Sequence, residues 1–132
     1  MQSNTEKKQV VIFMRHGIAR HNLRDPRTGQ VADHRDPSLL DPGLVYEGQV
    51  MAIRAGHDVQ RIQPNIDLLV CSPLTRCIQT TLLAFLPGEK PAPPVLAKED
   101  VREAFGMCYP DKRRSKSHLT VSLEMKEVGT LA

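Results

Sequence analysis

Ile66-Asp67-Leu68-Leu69-Val70-Cys71, running straight into Ser72-Pro73-Leu74-Thr75-Arg76-Cys77-Ile78-Gln79-Thr80-Thr81-Leu82-Leu83-Ala84-Phe85, carries the main architectural signal of the chain. Its first half is a short apolar run, read as a buried strand. In the second half Ser72 is a good N-cap and Pro73 suits the first helical position. Leu74, Cys77, Ile78, Thr81, Leu82 and Phe85 then recur at helical spacing and predict a single apolar face. Pro87-Gly88 ends the helix. A strand passing through a tight turn into a helix is the first half of a βαβ unit.

The flanking sequence supplies the rest of that alternation. Val10-Val11-Ile12-Phe13-Met14 is a continuous apolar run that stops at Arg15-His16-Gly17, and it predicts a strand buried on both faces. A polar segment from Ile18 to Pro42, with Asp25-Pro26 and Asp36-Pro37, reads as a long loop of the kind that carries function. Leu44, Met51, Ala52, Ala55 and Val59 predict a helix over about residues 43–60. After the proline-rich residues 90–94, Val95-Leu96-Ala97 reads as a third short strand, and residues 99–106 as the opening of a helix or turn. Strand–helix alternation predicts an α/β fold: a parallel sheet with flanking helices in three layers. The expectation is one domain over residues 1–132, with 1–9 and about 119–132 poorly ordered.

Composition agrees. A length of 132 residues suits one domain. Apolar residues at 40% and charged residues at 25% exclude disorder, collagen and coiled coil. The longest apolar runs are about five residues, too short to span a bilayer. Met1 to Lys8 has no apolar stretch of the secretory kind, so a soluble, cytoplasmic protein is expected. Cys71, Cys77 and Cys108 form no CxxC pair, and reduced thiols fit the same compartment. The net charge of +3 fits an anion-binding enzyme as well as weak nucleic-acid contact.

In a parallel sheet, functional loops gather at the carboxyl ends of the strands. Arg15, His16 and Gly17 follow the first predicted strand. Ser72, Pro73 and Arg76 follow the second, and Glu103 follows the third. Arginine forks match phosphate oxygens, and helix N-termini favour anions. A neutral histidine can attack phosphorus, and a carboxylic acid can protonate the leaving oxygen. Together these residues predict a metal-free phosphoryl-transfer site. Rival readings are weaker. His34-Arg35-Asp36 lacks the other parts of a kinase. Asp33, His34 and Asp36 fit a solvated loop better than a metal site. Lys112 to Lys116 fits a basic turn better than a nucleic-acid interface.

At these residues the sequence resembles the histidine phosphatase superfamily, the family of cofactor-dependent phosphoglycerate mutase. Arg15-His16-Gly17 with Asn22 is similar to its RHG signature. Asp41-Pro42-Gly43-Leu44 with Gly48, Gln49 and Ala52 resembles the family's D-x-x-L-T-x-x-G-x-x-Q-A segment, with Val45 in place of Thr and Val50-Met51 separating the Gln from the Ala. Ser72 to Thr80 resembles its S-x-L-x-R-x-x-Q-T segment, and Arg102-Glu103-Ala104-Phe105-Gly106 the segment carrying its acid/base glutamate. The resemblance covers about residues 9–118. It implies an incomplete phosphoglycerate mutase-like fold and a phosphatase acting on small phosphomonoesters. In that reading His16 becomes phosphorylated, Arg15 and Arg76 hold the phosphoryl oxygens, Glu103 protonates the leaving group, and Gly17, Asn22 and Ser72 line the pocket. No metal, cofactor, nucleic acid or membrane is implied. The family's second catalytic histidine has no counterpart among His21, His34, His57 and His118, so the chain reads as a truncated one. The alternative is therefore a catalytically weak or inactive phosphate-binding module.

Overall fold

A computed structural model describes residues 8–86, 91–104 and 106–120 of the chain. Its regular elements are helix α1 (Tyr46–Ile62), strand β1 (Leu69–Cys71), helix α2 (Thr75–Phe85) and strand β2 (Val95–Ala97), with short 3-10 turns between them. β1 and β2 pair in parallel, with Leu69 opposite Val95 and Cys71 opposite Ala97. Because α2 connects the two parallel strands, β1–α2–β2 is the expected βαβ unit, and the chain is α/β as predicted. Leu69 and Cys71 are buried and Val70 between them is exposed, the alternation that pleating produces. α2 packs on β1 and α1 packs on α2, so the described elements stack in the order sheet, α2, α1.

The limits of α1 follow from local chemistry. Glu47 sits in its first turn and Arg61 in its last, each at the favourable end of the helix dipole. Pro64 disfavours helical backbone at Gln63, which is extended (φ −133°, ψ 88°), and the helix stops at Ile62.

α2 starts later than Ser72-Pro73 suggests. Leu74, in extended conformation (φ −70°, ψ 138°), is the residue before the first helical turn. Ser72 Oγ accepts from the Leu74 N–H at 3.3 Å and so caps nothing in the helix itself. The cap comes instead from another segment. Asp41 takes the Thr75 N–H on Oδ1 and the Thr75 hydroxyl on Oδ2, both at 2.8 Å. The buried face is also rotated from the predicted one. Arg76, Thr80, Thr81 and Ala84 are buried, while Cys77, Ile78, Leu82 and Phe85 are half-buried. The expected end of this helix at Pro87-Gly88 lies outside the described residues.

The cause of that rotation is backbone contact. α1 approaches α2 so closely that a Cβ on Gly56 would collide with the Ala84 carbonyl. A Cβ on Gly48 would likewise strike the Ile18 carbonyl, because the segment after His16 lies directly on α1. The core is correspondingly built from small and aliphatic side chains, Ala19, Leu44 and Ala52 with Leu83 against them.

One further expectation changes. Residues 10–14 form no strand: Val10, Val11 and Phe13 are 71%, 70% and 93% exposed. An apolar run becomes a strand only where another backbone meets its N–H and C=O groups, and the described sheet consists of β1 and β2 alone. The long polar loop, by contrast, is well organised. Asp25 accepts from the N–H groups of Arg27 and Thr28, Asp33 from Arg35, and Asp36 from Ser38. Ala19 bridges Leu44, and Arg24 bridges Val31. Residues 116–120 form a helical turn, and 121–132 lie outside the described residues. No helix among the described residues is long and apolar enough to cross a membrane.

Gly56→Ala is expected to destabilise the fold by about 2 kcal/mol, since overpacking against backbone outweighs the helix propensity gained from alanine. Urea unfolding of the two proteins measures it, and a variant as stable as the parent would contradict the close approach.

Candidate active site

His16 follows residues 8–15, which form no helix or strand, and two contacts hold it. The neighbouring Gly17 N–H donates to Thr80 Oγ1 at 3.1 Å, which fastens the turn to α2. The His16 ring turns back so that Nδ1 meets the Gly17 carbonyl at 2.7 Å. A carbonyl only accepts, so Nδ1 carries the proton and Nε2 presents a lone pair. Arg76 Nε donates to that lone pair at 3.1 Å. Burial lowers the His16 pKa. The Gly17 carbonyl opposes that shift, Arg76 and Arg15 add to it, and the charge of Glu103 opposes it last. The ring is therefore neutral at physiological pH.

Arg76 is only 2% exposed, and its charge is met from three directions. Beyond His16, Nη1 donates to the Pro110 carbonyl at 2.6 Å and Nη2 to Asp111 Oδ1 at 3.0 Å. The turn bearing Pro110 and Asp111 is in turn held to the polar loop. The Tyr109 N–H donates to the His34 carbonyl at 2.9 Å.

Beside His16 lies a cavity of about 460 Å³. Arg15, His16, Gly17, His21, Asn22, Arg24 and His34 form its polar wall, and Ile18, Val31, Met51 and Ala55 its apolar wall. No acidic side chain is among these, so the cavity favours an anion. Of the predicted residues, Arg15, His16, Gly17 and Asn22 therefore share one wall, and Arg76 reaches His16 from the protein interior. Ser72 and Glu103 are not on that wall. Ser72 is buried against the Leu74 amide and the Cys77 thiol. Glu103 is exposed and engages His16 only through its charge.

Four residues to which the sequence reading gave no role at the phosphoryl site also shape this region. Asp41 and Asp111 supply the charges described above. His21 and His34 extend His16 into a row of rings, with centroids 6.1 Å and 5.4 Å apart. Arg20-His21-Asn22 looks like solvated loop, and nothing in the tripeptide marks the histidine as buried. The 3-10 turn Arg20–Asn22 leaves it 6% exposed. Burial is the main reason its pKa falls to about 4, with Arg76, His16 and His34 adding to the shift. Among the described residues no three His, Cys, Asp or Glu side chains are grouped to hold a metal ion. Asp33 and Asp36 instead cap their own loop. Burial pushes the Cys71 and Cys77 thiols up, away from reactive thiolates.

Two arginines of the basic segment are also engaged internally. Arg113 Nε donates to Glu99, and Arg114 Nη2 to the Leu40 carbonyl at 3.2 Å.

Compared with known proteins, residues 11–120 match the family model described as histidine phosphatase superfamily (branch 1). No curated protein and no solved structure matches the chain.

The depressed His21 pKa has a consequence for acid stability. Unfolded, the ring titrates near 6.5, whereas folded it titrates at about 4. Between these values the unfolded chain binds the extra proton, so stability falls as pH drops through that window, by up to about 3 kcal/mol in all. Above pH 6.5 this contribution is complete. Urea midpoints taken across the window should show the decline, and His21→Asn should flatten it. An equal slope in both proteins would contradict the assignment.

Proposed function

Because the chain belongs to the histidine phosphatase superfamily, we propose that it is a phosphatase that hydrolyses small phosphomonoesters through a phosphohistidine at His16. The observation that carries this reading is the state of the His16 ring. Its Nδ1–H is spent on the Gly17 carbonyl, and its Nε2 carries no proton and accepts from Arg76 Nε, beside a cavity lined by Arg15 and Arg24. A neutral imidazole held in that tautomer is a competent nucleophile.

The reaction runs in two displacements. His16 Nε2 forms a bond to phosphorus as the ester P–O bond breaks, and the leaving oxygen takes a proton from the Glu103 carboxyl. Water then attacks the phosphohistidine, the P–N bond breaks, and Glu103 recovers a proton from the attacking water. Arg15 holds phosphoryl oxygens from the cavity wall. Arg76 exchanges its bond to the His16 lone pair for a phosphoryl oxygen, and Asn22, the Gly17 backbone and Ser72 complete the surroundings. No metal takes part in this scheme, and free thiols fit a cytoplasmic setting. This reading includes no nucleic-acid partner.

One observation favours a second reading, a phosphate-binding module of low turnover. Asp111 and Pro110 already occupy the outer donors of Arg76, where a substrate dianion would sit. Asp111 thus competes with substrate for the same guanidinium.

The test is turnover of an aryl phosphate with chelator present. His16→Ala should abolish it, and Arg15→Ala should lower it by roughly a hundred- to a thousand-fold. The acid limb of the pH profile should lie below 6.5, because the His16 pKa is lowered from that value. No turnover from folded protein would leave the binding-module reading. Asp111→Asn separately removes one like charge from beside the anion and should tighten inorganic phosphate by roughly fivefold, read by calorimetry. Unchanged affinity would show that Asp111 does not compete.

A further inference from the structure

Among the described residues, one buried side-chain nitrogen or oxygen has no hydrogen-bond partner, and it is His21 Nδ1. Folded proteins rarely leave such a group unpaired without a functional cause. Its protonation follows from its neighbours. Asn22 Oδ1 accepts from the Ala19 N–H at 3.0 Å, so the Asn22 amide can offer only its N–H₂ to His21. That amide meets His21 Nε2 at 3.1 Å, so Nε2 must accept. In the neutral ring the proton is then on Nδ1. The unpaired group is a donor, and it belongs to a ring on the wall of the cavity it shares with His16 and Arg15.

The ring is also firmly placed. His34 Nε2 donates to the His21 carbonyl at 3.2 Å, and the two rings meet edge to face. On its other side the His16 ring lies 6.1 Å away, centroid to centroid. A ring fixed on a wall that holds Arg15 and Arg24 and no acid, with one N–H unspent, suits a ligand rich in acceptors and negative charge.

We propose that His21 is a ligand-binding residue of this site, its Nδ1–H donating to a phosphoryl oxygen of the dianion held at His16. The inference rests on the phosphatase reading for its ligand. It adds a second imidazole, neutral and donating, to a site otherwise described by one nucleophilic imidazole and arginines. His21 donates without becoming charged, so it can hold an oxyanion while His16 keeps its lone pair.

The probe is inorganic phosphate, titrated into the full chain and three variants, each first shown to be folded by its amide spectrum. His21→Leu should weaken phosphate by about tenfold, the loss of one hydrogen bond to a charged group. His21→Asn places an amide N–H near the former Nδ1 position and should stay within about threefold of the parent. In the parent, side-chain nitrogen spectra should show Nδ1 of His21 protonated, with its proton moving downfield as phosphate binds. His16→Ala should leave that shift in place. Equal phosphate affinity in the parent and His21→Leu, or an unmoved Nδ1 proton, overturns the proposal, since a bound water would then satisfy the donor. Absence of phosphate binding to the folded parent overturns it as well. Aryl phosphate turnover separates the two readings. Turnover with an unmoved His21 signal sinks the role of His21 alone, whereas phosphate binding through His21 without turnover sinks only the phosphatase reading.

Discussion

A guanidinium buried to 2% exposure is expensive unless every side of it is met, and the fold around Arg76 is arranged to meet it. Its three contacts come from segments far apart in the chain: His16, the Pro110 carbonyl and the Asp111 carboxylate. Removing one partner of such a buried pair typically costs about 3–5 kcal/mol, because the other is left uncompensated. The turn after the first apolar run, the start of α2 and the 3-10 turn Tyr109–Asp111 are therefore held together by one side chain. With only short strands and a small-residue core, this charged junction is a large part of what gives the molecule a definite shape.

Asp41 plays the matching role for the backbone. It is 1% exposed and adopts a positive φ of 43°, a conformation tolerated best by Asn, Asp and Gly. Its carboxylate satisfies the first turn of α2 and also accepts the Arg114 N–H at 3.2 Å. One acidic side chain thus caps a helix from outside and anchors the basic segment. The glycines at 48 and 56 allow the backbone contacts that bring α1 against the active-site segment and α2.

These constraints also explain the chemistry. His16 gets its tautomer from a carbonyl one residue away and its neutral state chiefly from burial. The same burial depresses His21 further and leaves its Nδ1 unspent. A site that keeps two imidazoles neutral beside two arginines is built for an anion. The Asp111 carboxylate balances the buried guanidinium from 3.0 Å.

The α/β alternation, the β1–α2–β2 unit and the family motifs were legible in the residues alone, because each rests on local pattern or short spacing. Leu69 to Cys71 lies in a short apolar run, Thr75 to Phe85 has helical period, and Arg15-His16-Gly17 is contiguous. The failures share a cause. Whether Val10 to Met14 becomes a strand depends on a partner backbone, and no property of the run itself supplies one. Ser72 is a suitable cap by type, yet Asp41, 34 residues away, reaches the helix end instead. Thr80 and Arg76 face inward because Gly17 and His16, 63 and 60 residues distant, dock on them. Nothing local marks His21 as buried or shows that Asp111 reaches Arg76. Their importance comes from burial and from charges brought near by folding, and those are properties of packing that residue type and spacing do not encode.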